Sequence, residues 1–218
     1  MKISKKRVVL FLLFIFPLIC FLLLSTGQNN FTKLPVVTKN ILDISSIDST
    51  KTFKNNISIV CFLGENIEKS KAGLFNLNEK VYKKFIDYKK FQIIAVYPKG
   101  KAEEVHELEK EIGAFTDMVK WNFIEGDSKD IKALYKSLHS EDSLSSNLSS
   151  VNSFLIDKNG NLRGRTKEEK LFGYDMESVS ELNAKLKDDI KVLYYEYYAA
   201  FKDKNKNKAD RKEVGLWI

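Results

Sequence analysis

The longest apolar run in the chain lies near its N-terminus, at residues 8–24. Four cations precede this run, and the polar segment 25–28 follows it. Seventeen helical residues span about 26 Å, which nearly covers a hydrocarbon core of about 30 Å. We therefore predict a single-pass transmembrane helix over 8–24, with a basic segment at 1–7 in the cytoplasm. The rest of the chain is then expected on the outer side of the inner membrane, in the periplasm or another extracytoplasmic space.

Two alternatives to an uncleaved anchor would export the same domain. Ser25 and Gly27 are small enough for a signal-peptide cleavage site, at which the bond after Gly27 would be cut. A lipoprotein would need a small residue directly before Cys20, where the chain has Ile19 instead. The anchor is favoured because the run is longer than the roughly 7–15 apolar residues usual in a signal peptide.

Apolar and β-branched runs bounded by turn residues predict the strands of one domain at 41–201. After a polar linker at 25–40, such runs occur as extended segments at 41–49 and 57–63 and as strands at 91–96 and 121–124. An Asn-Gly turn centred on Asn159 and Gly160 then predicts a hairpin between 153–157 and 162–165.

Apolar residues spaced three and four apart predict the helices of the same domain. This spacing holds over 74–88, over 105–115 and, as the longest stripe, over 179–201. Asp127 is a plausible N-cap of a further helix that ends near Leu138. The resulting order predicts a thioredoxin-like three-layer α/β fold, in which a central mixed sheet has helices on both faces.

The net charge of +7 comes from the two ends of the chain. The cations before the apolar run and the basic tail that begins at residue 202 account for the excess, so the domain itself is close to neutral. A nucleic-acid-binding domain needs a basic face on its folded part, and we expect no nucleic-acid partner. The tail at 202–218 is expected to be disordered or a frayed helix extension, which could contact anionic lipid or an acidic partner.

The chain has two cysteines, Cys20 in the apolar run and Cys61 in a predicted strand. No two cysteines are spaced as CxxC or CxxxC, which excludes a disulfide framework, a zinc knuckle and a dithiol redox centre. Cys61 stands between Val60 and Phe62 and is expected to be a small buried hydrophobe, not a reactive thiol.

Four local segments of the chain carry distinctive sequences: 60–64 (VCFLG), 95–98 (AVYP), 121–127 (WNFIEGD) and 155–164 (LIDKNGNLRG). With these segments, the chain resembles the Sco/SenC family of membrane-anchored, copper-handling proteins over about residues 34–197. The resemblance implies a thioredoxin-like fold. It also implies two cysteines after the first central strand and a histidine ahead of the late hairpin, which together bind Cu(I).

On this chain the positions of those ligands carry other residues. The two cysteine positions fall on Asn66 and Ser70, and the histidine position falls near Ser149 or Ser150. Amides and hydroxyls are hard, neutral donors that neither hold Cu(I) nor exchange disulfides. The family's chemistry therefore does not carry over, and the sequence assigns no catalytic, cofactor-binding or metal-binding residue.

The remaining polar and aromatic candidates are weaker. His106 lies among glutamates on a predicted helix and is expected on a solvated face. Asp188 and Asp189 are expected to pair with nearby lysines at the surface. Tyrosines 194 and 197 are expected in the core, whereas tyrosines 195 and 198 form ordinary surface or stack on a partner or a membrane interface.

Three functional hypotheses follow. The favoured one is non-enzymatic: an anchored, catalytically degenerate thioredoxin-like protein that binds a protein partner, as an assembly factor for an envelope or respiratory complex. The second is a metal or redox protein that uses His139 with Glu65 and Glu68. The third is a spacer without a specific ligand. The identity of the partner and the oligomeric state stay open.

Overall fold

The computed structural model describes residues 5–25, 33–165 and 172–206. These residues belong to two units, Met1–Thr32 and Lys33–Ile218. The cleavage site considered after Gly27 and the part of the basic tail beyond Lys206 lie outside the described residues.

The described part of the first unit is one helix, α1 (Lys5–Ser25), which contains Pro17. Many of its apolar side chains, including those of Phe11 and Phe14, are exposed. Over the described parts of the chain, no helix combines the length and the apolar character needed to cross a membrane. The anchor stays a prediction.

The second unit alternates strands and helices in the predicted order. Its strands are β1 (Val36–Thr38), β2 (Ile57–Phe62), β3 (Phe91–Pro98), β4 (Trp121–Gly126), β5 (Asn152–Ile156), β6 (Leu162–Arg163) and β7 (Tyr174–Asp175). Its helices are α2 (Ile67–Leu77), α3 (Lys83–Phe85), α4 (Ala102–Gly113), α5 (Ser128–Ser137), α6 (Val179–Glu181) and α7 (Lys187–Lys206). One π-helical turn, Asn78–Tyr82, joins α2 to α3, and another, Leu182–Leu186, joins α6 to α7.

The strands form one mixed sheet in the order β1-β6-β5-β2-β3-β4, with β7 paired to β5. Strands β2, β3 and β4 are parallel, and β5 runs antiparallel to β2. The carboxyl ends of β2, β3 and β4 therefore meet at one edge of the sheet. The hairpin turn that follows β5 lies at the opposite edge, near the amino ends of β2 and β3.

Two apolar layers cover the two faces of the sheet. Along β2, Ile59 and Cys61 face a layer that contains α2, α4 and α7, whereas Val60 and Phe62 face a layer that contains α5. All six residues of β2 are buried, as expected of a central strand covered on both faces. This topology is that of a thioredoxin-like α/β fold, a central mixed sheet between helical layers, and it confirms the predicted fold of the domain.

Most predicted elements are present, but one helix start and two segments differ from the prediction. The helix predicted from residue 74 begins at Ile67, since the Asn66 side chain caps it. The segment 41–49 is not extended: Asp43 caps a short 3₁₀ helix, Ile44–Ser46. Strand β1 lies within the segment interpreted as a linker, 25–40, because pairing with β6 orders residues that have little apolar pattern of their own.

Candidate functional site

The turn after β2 is tightly closed by a loop that precedes β5. Leu63 pairs with Ser149 in an isolated antiparallel bridge, and the Glu65 amide donates to the Asn147 carbonyl at 2.8 Å. Gly64 has a φ of +72°, and a Cβ placed there would lie 2.6 Å from the Asn147 carbonyl oxygen. Glycine is required because both the backbone conformation and the close approach exclude a side chain.

The polar side chains of this turn are used to hold it together. The Asn66 Oδ1 accepts from the Lys69 amide at 3.3 Å and caps α2, and the Ser70 hydroxyl donates to the Leu63 carbonyl at 2.9 Å. On the facing loop, the Ser149 hydroxyl lies 2.8 Å from the Asn147 Oδ1 and 2.9 Å from the Ser145 hydroxyl. The sequence placed the ligand positions of the resembled family on Asn66, Ser70 and Ser149 or Ser150. The structure brings this turn and Ser149 side by side.

A polar cleft of about 630 Å³ opens beside this turn, at the carboxyl ends of the three parallel strands. Open α/β sheets commonly bind ligands outside the carboxyl ends of their strands, which makes the cleft the candidate site. Its lining includes Glu65, Asn66, Lys99 and Lys101. The Lys99 ammonium lies 2.9 Å from the Asp127 carboxylate, which raises the pKa of that lysine, and the Lys101 ammonium lies 2.6 Å from Glu104.

The donors around this cleft do not suit copper. Asn66, Ser70 and Ser149 offer amide and hydroxyl oxygens, and each already takes part in a hydrogen bond within the turn or its loop. Cu(I) is held by thiolate, thioether and imidazole groups, which are soft. These residues therefore do not fit the copper ion that the resembled family binds.

The metal set considered from the sequence is not assembled. His139 lines a separate shallow cleft with Tyr135 and Leu144, and its Nδ1 lies 3.0 Å from the Ser137 carbonyl oxygen. Glu65 lines the polar cleft instead. In the described parts of the chain, no three His, Cys, Asp or Glu side chains are grouped so that they could hold a metal ion.

The structure places Cys61 and His106 where the sequence predicted them. Cys61 is fully buried in β2, and burial raises the pKa of its thiol far above the ordinary value, so the nucleophilic thiolate is suppressed. His106 is exposed on α4 and lies 3.8 Å from the Glu109 carboxylate. Neither residue reaches the polar cleft's lining.

Sequence reasoning missed a buried charged cluster beneath α7. The Arg163 guanidinium donates to the Asp157 carboxylate at 3.1 Å and to Glu196 on α7. Asp189, interpreted as a surface residue, is in fact buried, where it accepts from Arg165 and from the Tyr174 hydroxyl at 2.7 Å. That interpretation was wrong because the lysines next to Asp189 in sequence suggested a local pair, whereas its partners come from β7 and from the segment after β6.

The sequence also pointed to the tyrosines at 194–198, but not to the groove that they line. The rings of Tyr88, Tyr194, Tyr195 and Tyr198 line a groove of about 580 Å³ together with Lys158. We call this surface the tyrosine groove. It lies at the amino ends of β2 and β3, opposite the polar cleft. The cluster of tyrosines at 194–198 was the signal, but Tyr88 comes from the segment between α3 and β3.

The sheet topology defines the second unit as a thioredoxin-like α/β domain. No protein-family model and no curated protein matches the chain. Solved structures similar to it include Sco proteins and thioredoxin-like oxidoreductases.

They include two copper-bound Sco proteins and the thioredoxin domain of one oxidoreductase. ScoI of Arabidopsis thaliana with copper bound is 15% identical, with a TM-score of 0.44 over 64% of this chain and 86% of that one. ScoI of Bradyrhizobium japonicum with copper bound is 13% identical, with a TM-score of 0.36 over 62% and 86%. The thioredoxin domain of a thiol-disulfide oxidoreductase from Bacteroides vulgatus is 17% identical, with a TM-score of 0.41 over 74% and 98%. Likeness at these identities transfers no activity to this chain.

Proposed function

We propose that this chain is a non-catalytic, thioredoxin-like binding protein, held at a membrane by its N-terminal helix and exposed outside the cytoplasm. In this role it acts as a binding or assembly factor for an envelope or respiratory complex. The observation that carries the proposal is the turn after β2, where the Asn66 side chain caps α2 and the Ser70 hydroxyl donates to the Leu63 carbonyl. The amide and hydroxyl groups at these two positions are hard donors, which neither hold Cu(I) nor exchange disulfides.

The burial of Cys61 supports the same proposal. Cys61 is fully buried, and its thiol has a raised pKa because the site is desolvated. Thiol-disulfide exchange requires an accessible thiolate, which such a residue does not provide.

The non-catalytic part is tested with the full chain in detergent micelles, in a Cys20→Ser background. We expect no disulfide-reductase turnover, no reaction of Cys61 with a thiol reagent before unfolding, and no Cu(I) binding in competition with a chromogenic chelator. The Asn66→Cys/Ser70→Cys variant is the matched control, since it places two thiols at an exposed turn and should react with the reagent. Stoichiometric Cu(I) binding or turnover by the chain without these two cysteines would overturn the proposal.

The anchoring part is supported by the apolar run at 8–24 and by the exposed apolar side chains of α1. We expect the chain to stay with membranes after alkaline carbonate extraction and to be degraded by protease added to spheroplasts. The intact mass of the membrane-bound protein distinguishes an uncleaved anchor from a chain cut after Gly27. Recovery of the protein in the soluble cytoplasmic fraction contradicts this part.

The partner-binding part is tested by crosslinking in native membranes. A binding or assembly factor should give the same crosslinked partner in repeated preparations. A spacer without a specific ligand should give none, and that result would favour the third hypothesis.

A further inference from the structure

The tyrosine groove has the composition of a binding surface and lies away from the polar cleft. Tyr195 and Tyr198 on α7 are each 56% exposed, and Tyr88, three residues after α3, is 39% exposed. Large aromatic rings exposed together at one groove are uncommon on a protein surface that has no partner. Tyrosine suits recognition because it offers a large, stiff ring and a polar tip at a low cost in side-chain entropy.

The floor of the groove is fixed before any partner arrives. The Tyr194 ring stacks on Phe85 at an interplanar angle of 10°, and its centroid lies 4.3 Å from that of Tyr88. The Tyr194 hydroxyl is buried under the groove and has no hydrogen-bond partner among the described residues. A buried hydroxyl without a hydrogen-bond partner is costly.

Cations outnumber anions around the groove. Lys90, Lys158 and Lys191 line it, whereas the carboxylates at the groove are those of Asp87 in its lining and of Asp188 beside Lys191. The Lys158 ammonium lies 4.1 Å from the centroid of the Tyr197 ring, and the Lys191 ammonium lies 2.9 Å from the Asp188 carboxylate. The excess of positive charge favours a partner with carboxylates beside its apolar residues.

The backbone at the groove offers no edge for strand addition. The Ile57 amide donates to the Lys90 carbonyl at 2.7 Å, and the Asn55 amide donates to the Lys158 carbonyl at 2.8 Å. Strands β2 and β3 are also paired on both sides within the sheet. A partner must therefore be recognised through side chains, as in aromatic grooves that bind polyproline II segments, which carry no internal hydrogen bonds.

We propose that the tyrosine groove binds an extended, proline-containing peptide segment with acidic flanking residues, presented by a protein partner. Its prolines and aliphatic side chains stack on Tyr195 and Tyr198, and its carboxylates face Lys90 and Lys191. This inference rests on the proposed function only in taking partner binding as the activity of the domain.

The test uses fluorescein-labelled peptides and the full chain in detergent micelles, read by fluorescence polarisation. The probes are a series of acidic peptides built on Glu-Pro-Pro-Leu-Pro-Glu, the same series with glutamine in place of glutamate, and the same series with lysine. We expect the acidic series to bind, the glutamine series to bind at least tenfold more weakly, and the lysine series not to bind. Equal binding of all three series, or no binding of the acidic series, would overturn the proposal.

Variants of the chain test whether the acidic peptide binds at the tyrosine groove. Tyr195→Ala/Tyr198→Ala should weaken binding of the acidic peptide at least tenfold, and Tyr195→Phe/Tyr198→Phe should retain most of it because the rings remain. Lys90→Glu/Lys191→Glu should remove the preference for the acidic series over the glutamine series. The matched control is Phe115→Ala, which removes a 69%-exposed ring elsewhere and should leave binding unchanged.

Other occupants of the groove give different results. Concentration-dependent self-association that Tyr195→Ala/Tyr198→Ala abolishes would replace the proposal with a homodimer interface. Binding to anionic phospholipid vesicles that requires the same tyrosines would replace it with a membrane contact. Copper binding or thiol turnover would overturn the proposed function without affecting peptide binding, so the two failures are distinguishable.

Discussion

The two ends of the sheet carry surfaces of opposite character. At the carboxyl ends of β2, β3 and β4, a polar cleft is bordered by Asn66 and by lysines whose ammonium groups lie near carboxylates. At the amino ends of β2 and β3, the tyrosine groove presents aromatic rings and an excess of cations. Open α/β folds commonly bind ligands at the first of these edges. In this chain the first edge is held together by its own hydrogen bonds, and the second edge has the composition of a binding surface.

The largest effect should come from the buried charges that support the groove end of α7. Arg163→Met removes the partner of the buried Asp157 carboxylate and of the largely buried Glu196 carboxylate, which should lower the free energy of unfolding by about 3–5 kcal/mol. Urea unfolding followed by circular dichroism measures the loss. Lys191→Met, which breaks an exposed pair with Asp188, should cost less than about 1 kcal/mol. Similar losses of free energy in both variants would show that the buried cluster contributes no more to stability than the exposed ion pair.

The next effect tests the cleft end, at the glycine of the turn after β2. In Gly64→Ala the new Cβ would lie 2.6 Å from both the Asn147 carbonyl oxygen and the Ser149 Cβ, at a φ of +72°. We expect a loss of about 3 kcal/mol from the combined clash and backbone strain.

Gly100 is the matched control for this prediction, because its φ is +84° but a Cβ there would have nothing within 4 Å. Gly100→Ala should cost about 1 kcal/mol, from the backbone conformation alone. Equal losses at the two glycines would mean that the loop before β5 moves away from the turn without cost.

A pH dependence is expected from the groove end, where the Tyr194 hydroxyl is buried. Burial, and then the nearby Tyr88 and Tyr197, raise the pKa of Tyr194 above its ordinary value, so its folded form keeps the proton longer than its unfolded form. Stability from this residue is complete below about pH 10 and is lost as the pH rises above that value. Urea unfolding between pH 9 and pH 11 should therefore show a decline that Tyr194→Phe reduces by up to about 1.4 kcal/mol per pH unit. An unchanged slope in this variant would place the titrating groups elsewhere.

The smallest effect concerns the N-cap residue of α2, Asn66, which borders the polar cleft. Asn66→Ala removes the side chain that caps α2 and should lower the free energy of unfolding by about 1 kcal/mol. Asn66→Asp keeps an acceptor for the Lys69 amide and should retain most of the stability. Peptide binding at the tyrosine groove should be the same in both variants, and a loss there would indicate that the two ends of the domain are coupled.

Local pattern predicted the elements well where their own residues carry the signal. Strands β2 and β3, helix α4 and the hairpin of β5 with β6 follow from apolar runs, helical spacing and an Asn-Gly turn, and all are present. Prediction failed at β1, whose order comes from pairing with β6, and at the segment 41–49, where the capping side chain of Asp43 stabilises a 3₁₀ turn. In both cases the spacing of apolar residues along the sequence does not reveal the interaction that orders the segment.

In the candidate sites, too, some features could be predicted from the local sequence and others depend on tertiary contacts. The absence of paired thiols and the placement of Asn66 and Ser70 after β2 could be determined from the sequence, since they require only residue identity and position. The buried state of Asp189 could not, since Arg165 and Tyr174 reach it from other elements. Its neighbours in sequence, three lysines among them, indicated the opposite environment.

By itself the sequence determined the succession of strands and helices, the neutral domain between two basic ends, and the lack of a soft metal-ligand set at the turn. Each of these depends on composition or on short-range periodicity. Only the tertiary structure decided that Gly64 meets the loop before β5 and that Tyr88 joins Tyr194 in one groove. Such contacts depend on how packed elements bring distant residues together, which no local pattern encodes.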